Sequence, residues 1–427
     1  MKSILIKNCS IVLSDKIILG NILIKDGLIE NVGVFDVEKD KADLVIDACG
    51  HHVLNGFVDM HTHLREPGYE YKEDILSGTK AALKGGYTTV CCMPNTNPFI
   101  DNHIVLSYIK ERAKAANNCR VYPIGCITKN QGGTELCEMG LMQKAGAIAF
   151  SDDGKCVESA NMMKLSMQYA KTFDALIISH CEDLSLSEDG QINEGYNSSV
   201  CGLQGIPNAA EEIIVAREII LAKSLNTKVH LAHISTKESV ELIRRAKKDG
   251  VKVTCETCPH YFSLTDDAVV NYDANAKVNP PLRQKADVDA IIKGIIDGTI
   301  DAIATDHAPH SINDKNVEFN SAAFGISGLE TAFNLSYTNL VKAKHITLEK
   351  LNALLSLNPA KILGLNVPEI SKGSVADLTI VSVDKENVVD VNGFISKGKN
   401  SPFDGFKGFG DILYTIVGGH IKYEKYN

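Results

Sequence analysis

A chain of 427 residues is too long for one small core and suits a large α/β barrel with a smaller domain beside it. Apolar and charged fractions of 44% and 23% are those of an ordinary globular protein, and a formal net charge of -9 argues against a nucleic-acid surface, which needs a basic patch. No apolar run reaches the roughly 18 residues of a membrane span, the start is too short in apolar residues for an export signal, and twelve cysteines in that setting read as reduced thiols, so a cytoplasmic location is expected.

Residues 1–55 carry short β-like pieces at 4–7, 10–12, 21–25, 29–32 and 44–47, separated by turn signals such as Lys25-Asp26-Gly27. They predict one part of a small β-domain. From Gly56 the texture changes, and short β-branched runs alternate with longer helix-period segments, the pattern of repeated βα units. Strands are predicted at 57–61, 88–93, 120–126, 147–150, 175–180, 228–233, 251–257 and 302–306. Helices are predicted between them at 75–83, 104–116, 209–225 and 237–248, with glycines at 85, 86, 146 and 250 marking helix ends. Eight strands is the number of a closed (β/α)₈ barrel, here expected over 56–365. The weakly periodic stretches 127–135 and 182–205 are expected to be active-site loops. From 366 to 427 β character returns, at 372–381, 413–417 and 420–423, so both ends of the chain are expected to pair into one β-domain.

In such a barrel the C-terminal strand ends face the active site. The first predicted strand runs into Asp59-Met60-His61-Thr62-His63-Leu64-Arg65. Residues two apart on a strand point the same way, about 7 Å apart, so His61 and His63 can address one borderline transition metal together. Arg65 follows two further on, and Pro67-Gly68 opens a loop. A solitary His-x-His pair is most simply two packed or surface histidines; here other strand ends supply company. The fourth runs into Ser151-Asp152-Asp153-Gly154, the fifth ends in His180, the sixth in His233 and the eighth in Asp306. Neighbours on a strand point opposite ways, so the spacing leaves Asp152 and Asp153 as alternatives. Four imidazoles and two carboxylates at one end of a barrel are a ligand set for a metal-dependent hydrolase, and they are hard to produce as core filling because buried unpaired charge is costly. Cys255 and Cys258 have redox or zinc spacing but no completing pair, and read as structural. His230, His260 and His307 read as packing or supporting groups, and the run 244–248 as a solvated helix face.

Several motifs resemble those of the amidohydrolase superfamily, and within it the dihydroorotases. They are Asp59-Met60-His61-Thr62-His63-Leu64-Arg65-Glu66-Pro67-Gly68, Met93-Pro94-Asn95-Thr96, Asn279-Pro280-Pro281-Leu282-Arg283, Ala304-Thr305-Asp306-His307-Ala308-Pro309-His310, and Phe324-Gly325 followed by Gly328-Leu329-Glu330-Thr331. The likeness spans the whole chain. Cys258-Pro259-His260-Tyr261 is shared more widely, with hydantoinase- and allantoinase-like relatives.

The resemblance implies a TIM barrel with a composite β-sandwich domain, and one or two Zn²⁺ ions per subunit. It assigns His61, His63 and Asp306 to one metal, His180 and His233 to a second, and Asp153 as the bridge. Many relatives bridge with a carboxylated lysine; no lysine stands at that strand position here, although Lys155 is near. The implied reaction is the reversible, water-losing cyclisation of N-carbamoyl-L-aspartate to L-dihydroorotate, in de novo pyrimidine (UMP) synthesis. Asp306 would act as general base and then general acid. Arg65, Asn95 and His310, with His63, would bind the substrate and its carboxylate, and Asn279 with the backbone at Phe324 and Gly325 would hold the ring. The polar stretch 311–323 is expected to close over it. Expected partners are the small substrate and further copies of the chain, and an intact enzyme can also associate with aspartate transcarbamoylase. Two other readings stand beside this one. A hydantoinase or allantoinase has the same metal chemistry but no need of Arg65, and an inactive structural subunit should lack metal ligands.

Overall fold

The computed structural model describes residues 3–36 and 42–426. Strands Ile4–Val12, Ile17–Lys25, Leu28–Gly33, Leu44–Asp47 and His52–Asn55 join Leu378–Val388, Lys407–Val417 and His420–Glu424 in one eight-stranded sheet. The seam between the two ends of the chain is antiparallel, Leu378 opposite Asn55 through Val381 opposite His52. Residues 4–7 and 10–12, expected as two strands, are one. Asn8 takes a left-handed φ of 55°, the register shifts between Ile6 and Cys9, and the ladder resumes beyond this bulge. Alternating residues of this sheet (Ile4, Ile6, Ile22, Ile24, Val53, Leu378, Ile380) form its own buried cluster.

The barrel is built from parallel pairings in chain order. Phe57–Thr62, Tyr87–Cys92 and Arg120–Pro123 form one run, and Ile178–Ser179, Val229–Leu231, Val253–Thr257 and Ala302–Ile303 form another. The predicted fourth strand is reduced to Phe150, which bridges Gly125 on one side and Ile177 on the other; Phe150 N–H donates to Leu176 O and Ile178 N–H to Phe150 O. A parallel bridge between Thr62 and His307 closes the ring. The eight-stranded count holds, although several strands are shorter than the sequence suggests.

Helices form where predicted, within a residue, at Ile75–Lys84, His103–Ala116, Asn208–Leu225 and Lys237–Lys248. Asp74, Asn102 and Thr236 cap their first turns by accepting from backbone N–H groups. Among the described residues no helix is long and apolar enough to cross a membrane. On the last of these helices Arg245 and Lys248 are exposed, as expected of a solvated face, and Arg244 and Lys247 are partly so; Arg244 and Arg245 pair with Glu241, Arg244 also with Asp297, and Lys247 with Asp301.

Candidate active site

His61 is fully buried near the end of the first barrel strand. Asp59 ties this strand to the eighth: its carboxylate accepts from Thr305 Oγ1 at 2.6 Å, Thr305 N at 3.2 Å and His61 N at 3.1 Å. That link fixes His61 and Asp306 in relative height. The backbone turns after Thr62. Arg65 takes a left-handed φ of 63°, so it reaches the cavity through a turn and not by strand alternation. His233 and Asp306 are also left-handed, at 35° and 47°. Non-glycine residues seldom adopt this region, and they concentrate at functional sites.

These elements bring the ligand candidates together in one cluster, with Asp153 facing histidines on both sides. Nε2 of His61 lies 3.4 Å from Asp306 Oδ1 and 3.4 Å from Asp153 Oδ2. Nε2 of His63 lies 3.1 and 3.4 Å from the same two oxygens. On the other side, Asp153 Oδ1 is 3.4 Å from both His180 Nδ1 and His233 Nε2, which are 2.8 Å apart. The groups His61–His63–Asp306 and His61–Asp153–His233 each offer buried ligand atoms within 4.8 Å of one another. Asp152, the alternative to Asp153, points away and accepts from Ile127 N and Thr128 N. Lys155 is exposed and takes no part.

The donor set fits a pair of cations. A tetrahedral metal with bonds near 2.05 Å separates its ligand atoms by about 3.3 Å, close to the observed edges. His61 Nε2 and Asp153 Oδ1 are buried without any hydrogen-bond partner, as atoms that face a metal are. Three of the four imidazoles are held from behind, while His233 Nδ1 is buried without a partner. His61 Nδ1 meets Glu256 Oε1 at 2.8 Å, His63 Nδ1 meets Asn95 Oδ1 at 2.9 Å, and His180 Nε2 meets Glu182 Oε2 at 2.9 Å. Each acceptor takes an N–H and leaves the opposite nitrogen's lone pair toward the cluster. Burial alone would push the Asp153 carboxyl up, but the imidazoles of His61, His180 and His233 outweigh it and hold it well below the usual carboxylate range. Burial would likewise lower His180, yet Asp153 and Glu182 draw it up to about 10. Carboxylates that pull protons onto imidazoles show a site calling for positive charge.

Beside the cluster is a cavity of about 230 Å³, below the roughly 300–1,000 Å³ of drug-sized sites and suited to a small metabolite. Every predicted site residue except His61 lines it: His63, Arg65, Asn95, Asp153, His180, His233, Asn279, Asp306, His310, Phe324 and Gly325. Arg65 Nε donates to Pro309 O at 3.2 Å, which aims the guanidinium. Asn279 Nδ2 donates to Glu182 Oε2 at 2.9 Å, so one carboxylate steadies both a histidine of the cluster and the amide across from it. Gly325 has φ 143°, and a Cβ there would lie 2.7 Å from Ala308.

Some supports were not visible in the motifs. Asn400, from the C-terminal segment, accepts from His310 N at 2.8 Å and donates to Ala308 O and Gly325 O. Lys277 Nζ donates to Phe319 O at 2.7 Å and lies 4.5 Å from the Phe324 ring centre. Glu182 carried a faint signal, standing two residues after His180. His230 and His307 behave as supporting groups: His230 shares Glu256 with His61, and His307 accepts from Gly328 N and faces Glu73 at 3.4 Å. Cys255 and Cys258 are buried and unpaired.

Comparison with known proteins agrees with this geometry. Residues 50–239 match the family model described as dihydro-orotase-like. A curated dihydroorotase of Acetivibrio thermocellus is 55% identical over 401 residues, 94% of each chain, and one of Ruminiclostridium cellulolyticum is 54% identical over 93% of each. The chain belongs to the dihydroorotase family. Among solved structures, the L-hydantoinase (dihydropyrimidinase) of Arthrobacter aurescens superposes with a TM-score of 0.90 at 28% identity, covering 100% of this chain and 97% of that one. The dihydropyrimidinase of Brevibacillus agri, at 21% identity and TM-score 0.86, shares the fold, covering 98% of this chain and 94% of that one. Family membership accounts for the barrel with its β-domain and for a cyclic-amide hydrolase site.

Proposed function

We propose that this protein is a dihydroorotase that interconverts N-carbamoyl-L-aspartate and L-dihydroorotate in pyrimidine synthesis, with zinc held by His61, His63, Asp153, His180, His233 and Asp306. One observation carries the reading: Asp153 stands between His61 and His63 on one side and His180 and His233 on the other, and this cluster opens onto the same small cavity as Arg65, Asn95 and His310. When bound, a divalent metal there lowers the pKa of water from about 15.7 toward 7 and polarises a carbonyl oxygen.

The chain's own residues do the rest. In the ring-opening direction Asp306, which burial alone would push up but which the imidazoles of His61, His63 and His233 hold in its carboxylate form, takes the proton of the attacking water and delivers it to the departing ring nitrogen. In the closing direction it serves the same proton in reverse. Arg65 offers a planar fork to the substrate's free carboxylate, joined by Asn95 and His310, which line the same cavity. Asn279 and the backbone at Phe324 and Gly325 hold the ring. Arg65 is the feature that favours an acidic cyclic amide over hydantoin or allantoin. The intact ligand set speaks against an inactive structural subunit.

We assign catalysis to residues 56–365, with 1–55 and 366–427 as the flanking β-domain. We also read the protein as cytoplasmic, on the support of twelve cysteines of which none forms a disulfide among the described residues, and as an oligomer of its own chain able to associate with aspartate transcarbamoylase. The Asp306→Asn variant tests the acid/base assignment. Turnover should fall by about 10²–10⁴ in both directions; near-normal turnover with metal retained removes Asp306 from the role.

A further inference from the structure

Lys72 belongs neither to the cation cluster nor to the donors assigned to the substrate. Its Nζ nevertheless lies 3.1 Å from Nδ1 of His310 and 3.2 Å from Oδ1 of Asp314. A lysine ammonium has three protons to donate and no lone pair, so Nδ1 of His310 is the acceptor. A neutral imidazole then carries its proton on Nε2. The surroundings of Nε2 agree: it lies 2.8 Å from Phe324 O, which can only accept. Nη2 of Arg65 lies 3.2 Å from the same nitrogen and is itself a pure donor, so with the proton on Nε2 it finds no lone pair there.

We infer that Lys72 is a positioning residue which, by donating to Nδ1, locks His310 as the neutral Nε2–H tautomer, whose one ring proton goes to Phe324 O, and so keeps the ring from accepting from Arg65 and leaves the guanidinium's protons for the substrate's carboxylate. This rests on the proposed reading of the cavity. Without Lys72 the proton is free to move to Nδ1. Nε2 would then present a lone pair, accept from Arg65, divert one guanidinium proton from the substrate and turn an acceptor toward an anion.

The charged groups facing the ring are Arg65 and Lys72 from the loop after the first barrel strand and Lys315 from the short helix Ile312–Lys315; Asp314 of that helix is held against Lys72. Burial, reinforced by Arg65, Lys72 and Lys315, pushes the ring far below its ordinary range, so the imidazolium form is suppressed and the tautomer is the quantity that Lys72 decides.

The test uses the metal-loaded enzyme with ¹⁵N-labelled histidine. Nitrogen shifts and one-bond couplings of His310, assigned by their loss in His310→Asn, report which ring nitrogen is protonated; KM and kcat for L-dihydroorotate report the consequence. Wild type should show protonated Nε2 and bare Nδ1. Lys72→Met should shift the proton toward Nδ1 and raise KM about tenfold or more, with a smaller change in kcat and unchanged metal content. Lys72→Arg keeps a cationic donor and should restore the tautomer and most of the KM. A wild-type ring protonated on Nδ1, or a Lys72→Met enzyme with either tautomer or KM unaltered, overturns the inference. Metal-loaded wild type without dihydroorotate turnover overturns the proposed reaction instead, and the tautomer comparison still judges Lys72.

Discussion

Arg65, His233 and Asp306 share a backbone conformation that costs about 1–3 kcal/mol for residues with side chains, and each lines the cavity. Such positions persist when neighbours over-determine them. Asp306 follows Thr305, which is bonded to Asp59 through both its N–H and its hydroxyl; Arg65 is pinned through Nε to Pro309 O. The guanidinium, fixed in this way, has little freedom to lose when a carboxylate binds, so its contribution goes into affinity. Arg65→Ala should therefore raise KM for L-dihydroorotate by about tenfold to a hundredfold, the worth of one or two charge-assisted hydrogen bonds. Unchanged KM and kcat in steady-state assays would show that the carboxylate is held elsewhere.

At the scale of elements, the segment 311–323 is a strap anchored from beneath. Lys315 Nζ donates to Ala274 O, Lys277 O and Ala323 O at 2.8, 3.2 and 2.7 Å, and Lys277 Nζ donates to Phe319 O and Asn320 O. Both lysines are buried, with carbonyls in place of carboxylate partners. Lys315→Met should strand buried carbonyls and lower stability by roughly 1–3 kcal/mol, raising KM while metal content stays constant; thermal unfolding with plasma mass spectrometry checks both, and an unshifted Tm would contradict the anchoring. These contacts explain which parts of the site were legible in the sequence. His61, His63, His180, His233 and Asp306 could be found because strand ends have a period and a direction, and because ligand chemistry restricts side-chain type. Lys72, Lys315 and Asn400 could not, because they bond to backbone or to one ring across large separations, and lysine or asparagine in a loop carries no such restriction. The turn at Arg65 was hidden for a related reason: strand alternation predicts its side, but a left-handed residue delivers it there by another route.

On the scale of the whole molecule, the barrel closes through Thr62 and His307, and the C-terminal segment returns through Asn400 to the cavity wall. The candidate cation cluster joins the first, fourth, fifth, sixth and eighth strand positions, so a metal held there as proposed would link metal binding to barrel integrity. A ligand at a thousand times its Kd adds about 4 kcal/mol to a fold that alone can bind it. Chelation should lower Tm by several degrees and zinc should restore it; a Tm indifferent to chelator would show that the cluster is not a metal site.

The most direct measurement follows the ultraviolet absorbance of the dihydroorotate ring amide with purified protein, with metal content read on the same sample. The account predicts loss of the signal on ring opening, abolished by chelator and restored by zinc, with metal bound in proportion to activity. Metal-loaded protein that leaves L-dihydroorotate intact, or turnover that persists with no metal bound, would contradict it.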